Sequence, residues 1–302
     1  MKILITCGAG FIGSNLVKKL EKENEVVVLD NFSSGKREYL RNCNATVING
    51  DLRNKDLVLK ATKDIEVVIH LAAHTSVIDS LKNPSFDFEN NVIGTLNLLE
   101  VSFKNKVEKF IFASSNAVIG DPLYVPIDEK HQVKPKSPYG ASKLAAEGYC
   151  TAFAEKELHT VILRFANVYG INMDHKKSVI PLFINRILNN KPPIIYGDGN
   201  QTRDFIHVQD IVESIILAEE YGKSGEIYQI GTQVETSINE LCKHLLEIAG
   251  VDLNPIYKPK RRGEIKRNYS KIQKAKQELG YESSVDLCEG LKEVFEYFRT
   301  RI

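Results

Sequence analysis

Tyr139 and Lys143 stand four residues apart in the stretch SPYGASKLAAEGY, Ser137 to Tyr149. On a helix that spacing puts a phenol and an ammonium on one face. A free tyrosine has a pKa of about 10 and is a poor base at neutral pH. An adjacent ammonium, or the positive ring of an oxidised nicotinamide cofactor, favours the phenolate. Such a tyrosine can take a proton from a substrate hydroxyl while hydride leaves the same carbon. Ser115 is a third member, in FIFASSNAVIG, where an apolar run enters small polar residues. A hydroxyl there can relay the proton between substrate and Tyr139. Taken singly, Y-x-x-x-K is an ordinary surface pair and Ser115 a strand-end serine bonded to local backbone. Beside a cofactor site the three form a hydride-transfer centre.

The cofactor signal is TCGAGFIGS, Thr6 to Ser14, at the end of the first apolar run. Glycines at a strand-to-helix turn let backbone approach a pyrophosphate, and the helix start supplies N–H donors and partial positive charge. Two glycine frames compete: Gly8, Gly10 and Gly13, or residues 7, 10 and 13 with Cys7 in first place. Asp30 closes VVVLD, 20 residues past Gly10. A carboxylate there accepts hydrogen bonds from the adenine-ribose hydroxyls and repels a 2′-phosphate, which selects NAD over NADP. Lys36 and Arg37 argue the other way but read as a solvated loop face.

These residues need a scaffold that gathers them. Strands are expected at Ile3–Thr6, Val26–Leu29, Thr46–Asn49, Val67–Leu71, Lys109–Ser114 and Thr160–Arg164, several of them continuous β-branched runs. Helical periodicity covers Phe11–Glu23, Val92–Lys104 and Ala141–Glu157. Strand and helix in alternation predict an α/β fold with a doubly wound parallel sheet. In such sheets ligands collect at the carboxyl ends of the strands. Gly10, Asp30, Asp51, Ala72–His74, Ser115 and Asn167 each follow one of the six strands, so all share one edge. After Gly170 the rhythm loosens, with a Pro/Gly-rich loop at KPPIIYGDG, a strand near Glu226–Ile230, and helices near Ile238–Ala249 and Leu287–Arg299. Residues 1–170 read as a dinucleotide-binding domain and 171–302 mainly as a smaller α/β substrate lobe, with re-entry into the core after residue 200.

The composition excludes other classes. The 302 residues are 43% hydrophobic and 26% charged with net charge +1, which gives no electrostatic reason for nucleic acid or membrane partners. No apolar run approaches the ~18 residues of a membrane span, and the N-terminus has no signal-peptide layout. The five cysteines, Cys7, Cys43, Cys150, Cys242 and Cys288, are scattered, which argues against disulfides or a metal site and for a reducing cytoplasm.

The chain resembles the extended short-chain dehydrogenases/reductases and, among them, the nucleotide-sugar 4-epimerases. The likeness runs through CGAGFIGS, DNFSSG at 30–35, GDLRN at 50–54, LAAHTSV at 71–77, NNVIGT at 90–95 and SSNAVIG at 114–120. It continues through YGASK at 139–143, RFANVYG at 164–170, YGDGNQTRDFIHVQD at 196–210 and RRGE at 261–264. The resemblance implies a Rossmann domain binding NAD, and it selects the glycine frame in which Cys7 is a departure. It implies cofactor contacts from Gly10, Phe11, Ile12, Gly13, Asp30, Asn31, Phe32, Ser33, Ser34, Gly35, Asp51 and Leu52. Further contacts are implied at Leu71, Ala72, Ala73, His74, Thr75, Asn90, Ser115, Tyr139, Lys143 and Ala166. It implies that Ser115, Tyr139, Asn167, Ser178, Val179, Tyr196, Arg203 and Arg261 hold a UDP-sugar, the two arginines clamping the diphosphate and Tyr196 lying against uracil. Dehydratase and decarboxylating members carry acidic residues after the strand-five hydroxyl. Here Asn116 and Ala117 follow Ser115, so the resemblance implies simple redox reversal at C4 through a 4-keto sugar. Asn268, seven beyond Arg261, matches a gate whose small residues admit N-acetyl sugars. A cytoplasmic homodimer packed through the Val92–Lys104 and Ala141–Glu157 helices is also implied. Ile119 stands where the family usually has tyrosine. A UDP-uronate epimerase, a C4 reductase and an NAD-sensing scaffold are the competing readings.

Overall fold

The computed structural model describes residues 1–260 and 265–301. Its strands in chain order are β1 Lys2–Thr6, β2 Glu25–Asp30, β3 Thr46–Asn49, β4 Val67–His70, β5 Lys109–Ser115, β6 His159–Phe165 and β7 Asn167–Tyr169. They continue as β8 Ile194–Tyr196, β9 Thr202–Arg203, β10 Phe205–His207, β11 Ile227–Ile230, β12 Thr236–Ser237 and β13 Ile256–Lys258. The helices are α1 Phe11–Leu20, α2 Lys55–Ala61, α3 Val77–Lys82, α4 Pro84–Phe88, α5 Gly94–Lys104 and α6 Pro138–Ala154. They are followed by α7 Val179–Leu188, α8 Val208–Tyr221, α9 Ile238–Ala249, α10 Gln273–Leu279 and α11 Leu287–Arg299. A π-helical turn, Glu89–Ile93, runs into α5.

Seven strands form one parallel sheet in the order β11-β6-β5-β4-β1-β2-β3. Its side chains alternate between two cores, as strand geometry requires. Ile3, Ile5, Val26 and Val28 join Leu16, Val17, Ile211 and Ile215 on one face. Leu4, Val27 and Leu29 join Val58, Leu98, Leu99 and Ala146 on the other. Helices α1, α8 and α10 therefore cover one side and α2, α5 and α6 the other, which is the doubly wound architecture. A third core, built from α7, α9 and α11 with Tyr169 and Phe205, lies in the C-terminal lobe. Phe11 at the start of α1 is buried in it, tying the glycine turn to that lobe.

Several boundaries differ from expectation, and at three of them the local structure shows how the helix begins or ends. Helix α6 starts at Pro138, because the Ser137 hydroxyl accepts the Gly140 N–H at 3.1 Å and proline suits the first helical position. Helix α1 stops at Leu20, where the Asn24 amide donates to the Leu20 carbonyl at 3.0 Å. The NNV segment enters α5 through the π-turn. Helices α2, α3, α4, α7, α8 and α10 were not foreseen. Helix α8 packs its apolar face on the sheet, and β11 pairs in parallel with β6, so residues 208–230 lie with the nucleotide core. No helix among the described residues is long and apolar enough to cross a membrane.

Candidate active site

The carboxyl ends of β1, β2, β4, β5 and β6 open onto one cleft edge, and most of the predicted residues sit there. The first is the glycine turn. Gly10 caps α1 in extended backbone, no side chain caps the helix, and its first turn carries no acidic residue. The orphan N–H groups of that turn are thus left for an anion. A β-carbon on Gly10 would lie 2.7 Å from the Cys7 sulfur, and one on Gly13 would lie 2.2 Å from the Cys7 carbonyl oxygen. Both glycines are required by close approach. Cys7, the departure from the glycine frame, has a backbone that glycine would favour. An ordinary strand-like conformation would let a side chain fit there, but its φ is +58°, in the left-handed region that favours glycine. Burial, then the Asp30 carboxylate, push its thiol up to about 12, so it stays protonated.

Asp30 ends β2 with its carboxylate buried. One oxygen accepts the Ala9 N–H at 2.9 Å and the other the Phe32 N–H at 2.8 Å, which anchors the glycine turn to the 30–35 loop. Burial raises its pKa, partly countered by these bonds. Each oxygen keeps a lone pair for a ribose hydroxyl. Asn31, Ser33 and Ser34 are exposed on the rim, with Phe32 and Gly35 half-buried beside them. Asp51 is held well below the ordinary carboxylate range by two bonds from the Arg53 guanidinium, at 2.9 and 2.8 Å, and by the Asn31 amide. Leu52 is a core residue under α5. These features fit an NAD-type dinucleotide: free donors at the helix start, glycines with no room for side chains, and a carboxylate after β2.

The loop after β4 is set by a buried relay. Thr6 Oγ1 accepts the Leu71 and Ala72 N–H groups, each at 3.1 Å, so its own proton goes to His70 Nδ1 at 2.8 Å. His70 Nε2–H then donates to Thr95 Oγ1 at 2.8 Å. Burial drives His70 down to about 3, which keeps it neutral. Asn91, unremarked in the sequence beside Asn90, is the hub. Its carbonyl accepts the His74 N–H at 2.7 Å, and its amide reaches His74 O at 3.0 Å and Ser142 Oγ at 3.0 Å. It therefore ties the 71–75 loop to α6. Asn90 lies on the π-turn with its amide donated to Phe86 O at 2.7 Å.

Helix α6 carries the Tyr139–Lys143 pair expected from the sequence. Tyr139 and Lys143 are both buried on its first two turns. The Tyr139 N–H donates to Ser80 Oγ at 3.2 Å, fixing the helix start against α3. Burial pushes the Tyr139 phenol up to about 12, and a hydrogen bond with Ser115 pulls it down. Lys143 donates to the Ala113 carbonyl at 2.7 Å and sits 4.6 Å over the Phe112 ring, with burial lowering it to about 8. In the protein alone the phenol therefore keeps its proton, and Lys143 is turned to the strand rather than acting strongly on Tyr139. Ser115 ends β5, and its hydroxyl accepts the Ala117 N–H at 3.2 Å. Ile119 is fully buried with Val118 and Ile127.

The C-terminal lobe brings up the remaining candidates. Asn167 opens β7 and is exposed, Ala166 precedes it, and Ser178 and Val179 begin α7. Tyr196 ends β8, its carbonyl accepting the Gln201 amide at 2.8 Å. Arg203 donates to the carbonyls of Thr202 at 2.6 Å and Ile265 at 2.9 Å, so it holds the segment at 265–270. Arg261 lies outside the described residues. Asn268 is buried, its carbonyl 3.3 Å from the Asn116 amide, which also donates to Ser270 Oγ at 2.9 Å. Asp204, also not singled out, is fully buried and accepts from Thr232 N at 2.9 Å, Gln233 N at 3.2 Å and Ser270 N at 3.1 Å. Its signal was one carboxylate entering the apolar DFIHV run. Among the described residues no group of three or more His, Cys, Asp or Glu side chains is arranged to hold a metal ion.

Residues 3–231 match the model of the NAD dependent epimerase/dehydratase family. A UDP-glucose 4-epimerase of Mycolicibacterium smegmatis is 35% identical over 100% of this chain and 99% of its own. The crystal structure of a Thermotoga maritima UDP-glucose 4-epimerase with UDP-glucose superposes with TM-score 0.96 at 42% identity, covering 100% of this chain and 99% of that one. A UDP-N-acetylglucosamine 4-epimerase from Methanobrevibacter ruminantium, solved with UDP-N-acetylmuramic acid, has TM-score 0.96 at 35% identity with the same coverage.

Proposed function

This chain belongs to the NAD dependent epimerase/dehydratase family, and from that premise we propose that it is an isomerase that inverts C4 of UDP-sugars with bound NAD. The proposed substrates are the UDP-glucose/UDP-galactose pair and the corresponding N-acetylhexosamines. The carrying observation is what stands beside Ser115. Asn116 and Ala117 have no group that acts as acid or base, and the Asn116 amide is committed to Asn268 and Ser270. Elimination needs an additional acid–base group, whereas oxidation and reduction at one carbon need only a group for the hydroxyl proton.

NAD, when bound, supplies a reversible hydride acceptor at that carbon. Tyr139 takes the 4-hydroxyl proton, with Ser115 hydrogen-bonded to it as relay. Since burial holds the phenol near pKa 12 in the protein alone, the positive charge of the oxidised cofactor is what favours phenolate in the loaded cleft. The 4-keto sugar turns over while Arg203, Arg261 and Tyr196 keep hold of the nucleoside diphosphate. Tyr139 then returns the proton. Asn268 supports the N-acetyl pair: it is compact and lies against Asn116, next to Ser115. Exposed Phe88, Phe103 and Tyr149 on α4, α5 and α6 support a homodimer through these helices, which sedimentation tests.

Purified protein given UDP-galactose and no added cofactor is expected to yield UDP-glucose, and UDP-N-acetylgalactosamine its gluco epimer. A 4-keto-6-deoxy product, or no conversion of UDP-galactose with NAD added, overturns the reaction. No turnover of the N-acetyl pair overturns only the second substrate class.

A further inference from the structure

Lys36 and Arg37, expected on a solvated loop face, are both engaged. The loop that leads to them closes on one residue of the glycine turn. Asp30 accepts the Ala9 N–H at 2.9 Å, and the Lys36 N–H donates to the Ala9 carbonyl at 2.9 Å. A β-carbon on Gly35 would lie 2.8 Å from the Ala9 backbone, so the loop is pressed against that turn. Lys36 therefore leaves the chain at the same residue as the carboxylate proposed for the adenine ribose, on a flexible four-carbon stem. A cation so placed is the group that a ribose 2′-phosphate needs.

Its ammonium is already paired. Lys36 Nζ lies 2.6 Å from one carboxylate oxygen of Asp174, on the loop between β7 and α7. The other Asp174 oxygen accepts the Tyr39 hydroxyl, and the Tyr297 hydroxyl of α11 lies 3.2 Å from the same oxygen. Tyr297 also donates to the Asn172 carbonyl oxygen at 2.9 Å, and the Asn172 amide donates to Ser14 Oγ of α1 at 2.9 Å. Asp174 is thus fixed by groups from both lobes, with its second oxygen left for the lysine. The two side chains are 40% and 23% exposed, so the pair is partly shielded from water. Glu38, 3.7 Å from the same ammonium and more exposed, is the weaker partner. Arg37 is engaged separately, its guanidinium 4.1 Å over the Phe32 ring.

We propose that Asp174 is a determinant of cofactor choice, acting with Asp30: by holding Lys36 it keeps that cation from neutralising a ribose 2′-phosphate, so that NAD is taken over NADP. This rests on the NAD-binding reading above. Asp30 repels the phosphate directly, whereas Asp174 acts through Lys36, so the contribution of Asp174 vanishes when Lys36 is removed.

The test uses the full-length chain, freed of co-purified nucleotide, and measures dissociation constants for NAD and NADP in the wild type, Asp174→Asn, Lys36→Met and the double variant. The wild type is expected to bind NAD more tightly than NADP. Asp174→Asn keeps an oxygen for the tyrosine hydroxyls and loses the charge that holds Lys36. NADP should tighten relative to NAD by roughly 10-fold, as a charge-assisted contact to phosphate gives. The ratio of the two constants carries the test even if the substitution loosens the fold, because loosening weakens both nucleotides together. Lys36→Met should leave both constants within about threefold of wild type, since the lysine is withheld there, and the double variant should show no gain for NADP. If Asp174→Asn does not fold, Lys36→Met decides: a selective loss of NADP affinity shows a lysine already available to phosphate and overturns the proposal, and unchanged constants support it. An unchanged ratio in Asp174→Asn, an equal gain in the double variant, or a wild type that binds NADP as tightly as NAD also overturns it. Failure of the wild type to bind NAD overturns the parent reading and this one with it.

Discussion

Cys7 offers a direct measurement of backbone strain in the glycine turn. Its φ of +58° is one that L-residues reach at a cost of roughly 1–2 kcal/mol and that glycine reaches freely. At an ordinary extended or helical position alanine is more stable than glycine by ~0.5–1 kcal/mol, because glycine gains more freedom on unfolding. At residue 7 the order should invert. Cys7→Ala removes the sulfur and keeps the strain. It should lose up to about 1 kcal/mol, the scale of burying one small apolar group. Cys7→Gly removes both, and should be more stable than Cys7→Ala by about 1 kcal/mol, which returns it close to wild type. Cys7→Val, branched at its β-carbon, should be the least stable of the set. For a 302-residue chain the unfolding entropy is ~0.6 kcal/mol per degree, so the Gly–Ala gap is about 2 °C in thermal midpoint. Scanning calorimetry of the four proteins without nucleotide resolves it. Cofactor affinity in Cys7→Gly should change only modestly and turnover should not change. A Cys7→Ala variant as stable as Cys7→Gly, or more so, refutes the left-handed assignment and the strain argument with it.

Tyr139→Phe should abolish turnover and leave NAD bound, measured by turnover and extracted cofactor; substantial remaining activity removes the tyrosine from the proton step. Lys143 is a buried lysine held near pKa 8 against 10.5 when free. Below pH 8 both folded and unfolded chains carry the proton and the burial cost is complete; above 10.5 neither does and the cost is gone. Lys143→Met should therefore be more stable than wild type at pH 7, by on the order of 2 kcal/mol, and the gap should close as pH rises; denaturant midpoints independent of pH would contradict this. The buried Glu147 carboxylate takes two Arg164 bonds, at 2.9 and 2.7 Å, together with the Ser114 hydroxyl. Glu147→Gln should cost about 3 kcal/mol by leaving a buried guanidinium without its counter-charge, and the Glu147→Met/Arg164→Met pair should recover much of that. Equal losses in the single and double variants would show that the ions are not coupled.

Much of the candidate site was legible because its signals are local. A β-branched run followed by glycines and an amphipathic stretch can fold in few ways, and the end of VVVLD must lie at the sheet's carboxyl edge once the sheet is parallel. Tyr139 and Lys143 share a face because helical geometry spaces residues four apart to do so. Asn116 and Ala117 limit the chemistry by residue type alone. The helices that escaped notice were short, as α2 to α4 are, or lay after Gly170, where loops interrupt the alternation and periodicity names no partner surface.

The tertiary structure decided what depends on residues distant in sequence. Cys7 is left-handed in a turn where Gly10 closes on its sulfur and Gly13 on its carbonyl. The role of Asn91 exists only where the π-turn brings it to His74 and to Ser142, 17 and 51 residues away. Lys176 meets Thr75 across 101 residues. Strand β11 returns to pair with β6, which places α8 on the sheet although its sequence follows the first C-terminal loops. The sequence by itself determined the strand–turn–helix units, the shared edge and the helical spacing of Tyr139 and Lys143, since these follow from backbone dihedrals and short-range periodicity. Which polar groups are buried together and which pKa values move follow from strand order and lobe packing, and no local pattern encodes those long-range contacts.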